Sequence, residues 1–525
     1  MKIIIPMARK NTEFKLEGME EVKHLIDIDG KSMIEHICSM FPPDSDFIFL
    51  CRKEYLENSG MEDHLKKIAK NHVTISVEKY TRGPVETVLL ADAHVKDDDE
   101  VIIVHSDAFE DWDFEMFMKE IRNRKAHGAL STFIGFHPTH LNGVRYASIS
   151  IDDNGYVTGI KEKELITKSY IENYTSAGSY YFSGWGLFKK YAKKMLEDNE
   201  NTVFYISLVY NEMINDGLRV IPFEVRNLIY WGEPQNLKEY IFWSEYFASL
   251  MQPEKKRHLH DVVNLIPSAG RGKRFSDAGY KIPKPLIEVL GEHMIVKCGK
   301  SLPKTTKYIF VCLGEHVEKF GLGKILEESF PDCDIVPVGD YTDGMARSCL
   351  MAKDLLDGNK PVFVSSCDYS FVYDDEKLKN LIEKENPDAL VWTFRGYPDA
   401  RIAPASYAYM IVENGRVRRI SEKVPISKEP HKDPIVQGVF YFRSAKLLLD
   451  CINEMIEKNI TVNGEFYVGT AINQLIEKGM KVMPFELEKY ICWGTPHDLL
   501  VFQFWENYFA SNPGHPYKKL YQNRN

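Results

Sequence analysis

The residues best suited to chemistry are Pro267-Ser268-Ala269-Gly270-Arg271-Gly272-Lys273-Arg274-Phe275, with Lys284-Pro285 ten residues further on. They follow the apolar run Val262-Val263-Asn264-Leu265-Ile266, so the segment reads as a strand opening into a glycine-rich, basic loop. Two glycines let backbone N–H groups come close to a polyphosphate, and Arg271, Lys273, Arg274 and Lys284 add positive charge there. Asp368, just past the apolar run of residues 361–365, reads either as a strand-end cap or as a metal ligand. No Ser-His or Cys-His arrangement stands out. A site rich in cations with one strand-end carboxylate suits a reaction between two anions. A phosphomonoester is already largely dianionic at neutral pH, its second pKa being about 6, so as a nucleophile it needs no general base. It needs repulsion removed and the two reactants aligned, which is work for Arg, Lys, backbone amides and metal ions.

The loop belongs to a chain that repeats itself with an offset of about 260 residues, the signature of a duplicated domain. Ile5-Pro6-Met7-Ala8 falls on Ile266-Pro267-Ser268-Ala269, Lys23 on Lys284, Gly83 on Gly344 and Asp107 on Asp368. Glu162-Lys163 matches Glu422-Lys423, Gly178 matches Gly438, Phe204-Tyr205 matches Phe466-Tyr467, and Trp231-Gly232 matches Trp493-Gly494. Each half is long enough to bury its own core. The expected domains are residues 1–250 and 261–515, joined by a basic linker at 251–260 and followed by a loosely held polar tail at 516–525. His258 and His260 in the linker have no Cys or carboxylate cluster beside them, so a solvated linker is expected rather than a metal pair.

Within each half, strand-like apolar runs alternate with helical patterns: residues 47–50, 87–95, 101–104 and 113–124, then 308–312, 347–356, 361–365 and 375–385. This alternation predicts an α/β fold with mixed, mostly parallel sheets flanked by helices. Ligands in such folds sit beyond the carboxyl ends of the strands, where the Gly270 loop and Asp368 both fall. The 525 residues are 44% hydrophobic, an ordinary globular composition, and no apolar run approaches a membrane span. The opening Met1-Lys2-Ile3-Ile4-Ile5 is already strand-like, so no signal peptide is expected. Nine Cys lack disulfide or metal spacing, and Cys51 and Cys312 read as buried, inert thiols at equivalent strand ends. A cytoplasmic protein is expected. The formal charge of −10 argues against a nucleic-acid surface, so a phosphate site must be built locally.

These residues resemble the sugar-phosphate nucleotidyltransferases. The loop with Lys284-Pro285-Leu286-Ile287 is similar to the family's signature, Ser421-Glu422-Lys423 to its later Glu-Lys motif, and Trp493-Gly494-Thr495-Pro496 to its late Gly-Thr-Pro turn. The resemblance covers nearly the whole of each half. It implies two tandem Rossmann-like domains of the glycosyltransferase-A type, and a reaction of an NTP with a phosphomonoester that releases pyrophosphate. It further implies that Ala269, Gly270, Arg271, Gly272 and Lys273 hold the triphosphate, and that Arg274 and Lys284 stabilise charge at the α-phosphate. Thr342, Gly344 and Ser348 lie where the base is read. Asp368 would hold Mg²⁺, and Glu422, Lys423, Gly438 and Glu465 would meet the phosphorylated acceptor. A pyrimidine NTP and a role in surface-polysaccharide precursors are further implications. Glu465, Val203 in the first half, reads equally as a carboxylate at a helix start.

Two departures qualify the resemblance. Where the family often has a second metal-binding Asp, this chain has Cys492 and Trp493, and Tyr230 and Trp231 in the first half. The first loop reads Ala8-Arg9-Lys10-Asn11-Thr12-Glu13-Phe14, so both glycines are gone and Glu13 stands in place of Arg274. Glu13 would repel phosphate, which marks the first half as a degenerate copy, packed with the second as an intramolecular pseudo-dimer. Trp505, Phe504, Trp243 and Phe242 are expected as helix core or as the surface joining the halves. Two other functions remain open: an NDP-sugar-dependent glycosyltransferase and a non-catalytic nucleotide-binding scaffold. The segment Asp368-Tyr369-Ser370 lacks the second carboxylate of a glycosyltransferase Asp-x-Asp, and the complete second loop speaks against a pure scaffold.

Overall fold

A computed structural model describes residues 1–197, 203–252, 258–397 and 399–524. The linker's charge run and the side chains of His258 and His260 lie outside the described residues. The chain forms two compact units, Met1–Ser249 with Phe504–Lys518, and Leu250–Gln503 with Lys519–Asn525.

Each unit is built on a nine-stranded mixed sheet with the same strand order. In the second unit, His258–Ser268 pairs in parallel with Lys304–Leu313 and with Val362–Val364, and Asp334–Val338 extends the parallel run. The long strand Ile435–Phe442 then runs antiparallel to Val362–Val364 and to Ala389–Phe394. Ala389–Phe394 pairs in parallel with Val482–Glu486, and the hairpin Ala408–Glu413 with Arg416–Glu422 lies off Ile435–Phe442. The first unit repeats this, from Lys2–Met7 between Asp46–Arg52 and Val101–Val104 to the antiparallel strand Tyr174–Phe182.

The central strands are apolar along their length because both faces are covered. Leu265, Ile309, Val311 and Val364 face one core layer, while Ile266, Phe310, Cys312 and Phe363 face the other. That alternation is the two-residue period of a strand. Cys51 and Cys312 are fully buried, and burial pushes both thiols up to about 12, so they are inert as expected. No helix among the described residues is long and apolar enough to cross a membrane.

Three expectations are corrected. The pattern at residues 87–95 splits into the helix Pro84–Leu89 and the short turn Asp92–His94, because Pro84 is suited to the first helical turn. The strand expected to begin after the linker already starts within it, at His258. The segment assigned to the end of the second domain, Phe504–Lys518, belongs to the first compact unit. There Trp505 meets Tyr240 of the helix Pro234–Ser249 edge-on, Phe509 packs on the same ring at a tilt, and Trp505 Nε1 donates to Glu239 at 3.1 Å. Nor is the tail loose: Tyr517–Arg524 is a helix whose first residue is fully buried. The Tyr517 ring lies 4.8 Å from that of Phe247, and its hydroxyl donates to Glu506 at 3.0 Å. Apolar contact outweighs polar composition at that one position.

Tyr517→Ala is expected to destabilise the first unit by about 3 kcal/mol, the usual cost of truncating a buried aromatic ring. A urea midpoint equal to that of the unmutated chain would show that the tail contributes no packing.

Candidate functional site

In the second unit the strand His258–Ser268 ends at Ser268, and the chain turns through Ala269 and Gly270 into the short helix Lys273–Asp277. Ala269 is buried and holds the loop's base. A side chain at Gly270 would meet nothing within 4 Å, so this position leaves the loop's surface open. Gly272 caps the helix with a φ of 59°, left-handed backbone that suits glycine. A Cβ there would come within 3.3 Å of the Lys284 side chain, so loop and lysine are packed together. Arg271, Lys273 and Arg274 are exposed. Among the described residues none of the three is in an ion pair, although Arg271 stacks 4.5 Å over the Tyr341 ring. The loop therefore presents cations whose charge is not spent within the protein.

Beneath the loop lies a buried ion pair. Lys284 Nζ sits 2.5 Å from Asp368 Oδ2, and the side chains are each 17% exposed. Lys284 also donates to the Gly494 carbonyl at 3.2 Å, while Ser366 Oγ donates to Asp368 Oδ1 at 2.6 Å. The backbone is held too: Trp493 N–H donates to the Asp368 carbonyl at 2.9 Å, where Tyr369–Val372 pairs with Lys489–Cys492. Burial works against both charges, yet each is outweighed by its partner. Asp368 holds the Lys284 ammonium above its usual value, and Lys284 with Ser366 holds the Asp368 carboxyl below its own. Both groups stay charged across the physiological range.

Thr342, Gly344 and Ser348 form a second cluster at the start of the helix Met345–Met351. The Thr342 and Ser348 hydroxyls lie 2.5 Å apart. Gly344 has a φ of 117°, and a Cβ there would sit 2.4 Å from the Phe466 carbonyl oxygen, so only glycine fits. This close approach, with Ala346 N–H donating to Phe466 O at 3.1 Å, ties the cluster to the segment that carries Tyr467.

Glu422 and Lys423 end the strand Arg416–Glu422. Lys423 has a φ of 61°, an uncommon conformation for a side chain of its size, and its Nζ donates to the Ser406 carbonyl at 2.6 Å. Burial lowers the Lys423 pKa, Glu422 opposes that, and Arg274 adds to it. Two cations from different segments, Arg274 and Lys423, thus feel each other, an arrangement that favours an anion between them. Burial pushes the Glu422 carboxyl up to about 7, with Lys423 pulling it down and Glu465 adding to the rise. Glu465 is exposed and accepts a short hydrogen bond from the Tyr467 hydroxyl. Gly438 faces the Tyr369 hydroxyl, 2.9 Å from where its Cβ would be, and that hydroxyl accepts from Ser366 N–H. Its contact steadies the segment bearing Asp368.

Sequence reasoning missed Tyr341, Ser366 and Tyr467. Tyr467 was detectable, since Phe466-Tyr467 repeats Phe204-Tyr205, and Tyr341 likewise repeats Tyr80. Ser366 carried no signal, because His105 occupies its place in the first half. At the place of the second metal-binding Asp stands the half-buried Cys492, whose pKa burial raises well above the usual value and whose Sγ accepts from Gly494 N–H at 3.3 Å. Among the described residues no group of three or more His, Cys, Asp or Glu gathers as a metal cage. Asp368 alone still fits a magnesium ion, which takes one or two carboxylates and fills its other positions with phosphate oxygens and water.

Comparison with known proteins places the chain in a family. The model of the nucleotidyl transferase family matches residues 19–242 and again 263–503. The bifunctional protein GlmU of Fervidobacterium nodosum is 26% identical over 209 residues, covering 39% of this chain and 42% of that protein. The chain thus spans less than half the length of this curated relative. Among solved structures, a nucleoside-diphosphate-sugar pyrophosphorylase from Vibrio cholerae RC9 is 22% identical, covering 46% of this chain and 98% of that one, with a TM-score of 0.38. The inositol-1-phosphate CTP transferase from T. maritima is 15% identical, covering 46% and 94%, also with a TM-score of 0.38.

The raised Glu422 carboxyl has a consequence for stability. Between its ordinary value of 4.5 and about 7, the folded chain keeps a proton that the unfolded chain releases, so Glu422 costs stability progressively as pH rises through that window. Glu422→Gln is expected to flatten the fall in urea midpoint between pH 5 and pH 7.5. An identical fall in both proteins would refute the buried, proton-holding Glu422.

Proposed function

Since the chain belongs to the nucleotidyl transferase family, we propose that its second unit joins an NTP to a sugar phosphate or similar phosphomonoester and releases pyrophosphate. The observation that carries this reading is the pairing of an uncommitted basic loop with the buried Lys284–Asp368 pair directly beneath it. In this reading the loop amides, Arg271 and Lys273 take the β- and γ-phosphates. Arg274 and Lys284 offset the charge that develops at the α-phosphate. An oxygen of the acceptor phosphate forms a bond to the α-phosphorus, the α–β P–O bond breaks, and pyrophosphate leaves with the bonding electrons. No proton need move, because the attacking phosphate is already an anion.

Asp368 would hold Mg²⁺, whose chemistry when bound is to neutralise phosphate charge and orient the triphosphate. Lys423 and Arg274 would hold the acceptor phosphate between them, with Glu422 and Glu465 toward its polar groups. Thr342, Gly344 and Ser348 would receive the base, with a pyrimidine favoured by the family resemblance. Precursor supply for a surface polysaccharide in the cytoplasm is the setting proposed.

The test is pyrophosphate release from the full chain with ATP, GTP, CTP, UTP or dTTP, each combined with a panel of sugar 1-phosphates and Mg²⁺. One base is expected to support turnover. Release of pyrophosphate from none of them, together with turnover of an NDP-sugar, would favour a glycosyltransferase instead. Arg274→Ala is expected to lower turnover on the order of 10²–10³-fold, the usual loss on removing one charge-stabilising donor. A wild-type rate in that variant would remove Arg274 from the reaction.

A further inference from the structure

Arg271 stands on backbone that does little to hold it. It lies between Gly270, where a side chain would meet nothing within 4 Å, and Gly272, whose backbone is left-handed. Glycine on both sides leaves that stretch of chain unusually free. The guanidinium is exposed and, among the described residues, in no ion pair. What it does touch is the Tyr341 ring, 4.5 Å from the guanidinium carbon.

The ring is itself 45% exposed, and among the described residues its hydroxyl has no hydrogen-bond partner. The contact therefore uses the ring face alone. The backbone that carries the ring is pinned. Tyr341 N–H donates to Asp340 Oδ1 at 2.7 Å, and the Thr342 hydroxyl next to it bonds to Ser348. Gly344 packs so closely on Phe466 that only glycine fits. Arg347 pairs with Asp343 at 3.2 Å and lies 5.0 Å over the Phe466 ring. A cation on permissive backbone thus rests on a ring whose backbone is fixed.

The first unit repeats the contact on the same frame. Lys23 Nζ lies 2.5 Å from Asp107 Oδ2, and the Thr81 and Thr87 hydroxyls are 2.6 Å apart. The ion pair at its glycine turn is reversed, Arg82–Glu86, with Arg82 lying 5.1 Å over the Phe204 ring. Tyr80, at the position of Tyr341, is 59% exposed, and Lys10, at the position of Arg271, lies 4.6 Å over it. Arg52 lies 4.3 Å over the same ring, whereas Leu313 stands at that place in the second unit. The fold brings this loop position to the ring whichever cation occupies it. In the second unit the cation is an arginine. An arginine can rest its flat face on a ring while its N–H groups, which lie in the plane, stay free to bond.

We propose that Tyr341 is a positioning residue for triphosphate binding: its ring face holds the Arg271 guanidinium so that the N–H edge meets the outer phosphates of the NTP. Tyr341 acts through Arg271 and touches none of the reacting atoms. The proposal rests on the reading of the second unit as the one that takes the NTP.

The test is a double-mutant cycle on the full chain, with Tyr341→Leu, Arg271→Ala and the two combined, and with Tyr341→Phe as the variant that keeps the ring. Each protein is titrated calorimetrically with ATP, GTP, CTP, UTP and dTTP in Mg²⁺, and its pyrophosphate release is measured with the NTP that binds. Tyr341→Leu is expected to weaken NTP binding about two- to fivefold, the usual size of such a contact at an exposed site. KM for the NTP should rise by the same factor, while KM for the sugar 1-phosphate and the melting temperature stay unchanged. Tyr341→Phe should match the unmutated chain, and Tyr341→Leu should add nothing to Arg271→Ala. The proposal is overturned if Tyr341→Leu binds the NTP like its parent, if it weakens binding equally in the Arg271→Ala background, or if Tyr341→Phe fails as Tyr341→Leu does. Pyrophosphate release by the unmutated chain would in those cases leave the second unit's function standing. An unmutated chain that binds no NTP would overturn both.

Discussion

Everything in each unit's site is arranged around a lysine and an aspartate that face each other away from water. Such a pair costs desolvation free energy that its attraction repays only if the geometry is tight and the remaining oxygens are bonded. In the second unit this is met by Ser366 on the second carboxylate oxygen and by the Gly494 carbonyl on the ammonium. It is also met by the backbone, since Trp493 N–H clamps the Asp368 carbonyl and joins two short strands into a ribbon outside the main sheet. The loop follows, because Gly272 packs on the stem of Lys284. A charge pair inside the protein therefore sets where the cations outside it stand.

The two units show how much of a site's frame is repeated while its loop differs. Their sheets, glycine turns and lysine–aspartate pairs coincide, and even the ion pair beside the glycine turn survives with its signs reversed. The arginine's position over the phenylalanine ring is what both arrangements keep, which suggests that the ring contact, more than the direction of the pair, holds the turn. Five side chains differ in the loop, among them Arg9 in place of Gly270, whose guanidinium pairs with Glu13. Unpaired exposed cations in one loop become an exposed ion pair in the other.

Much of the fold was legible in the linear pattern. The near-continuous apolar runs at residues 262–266 and 308–312 mark strands covered on both faces, and the core layers divide Leu265 from Ile266 accordingly. The helix expected from residue 87 begins at Pro84, since proline is suited to the first helical turn although it interrupts the apolar period. Tyr517 was read with its polar neighbours, yet a single aromatic ring reaching Phe247 suffices to order the segment. Local composition averages over a window, and a contact made by one residue disappears in the average.

The sequence by itself determined that the chain is a duplicated α/β protein, that its second loop is glycine-rich and basic, and that Lys284, Asp368, Glu422 and Lys423 recur in step with Lys23, Asp107, Glu162 and Lys163. Those conclusions rest on order and spacing, which a linear text carries in full. Only the tertiary structure decided which of these residues touch. It joined Lys284 to Asp368 across 84 positions, assigned Phe504–Lys518 to the first unit, and turned Arg9 onto Glu13. The physical reason is that charge and hydrogen bonding act over a few ångströms of space, and the distance between two residues along the chain says nothing about that separation until the sheet has brought its strand ends together.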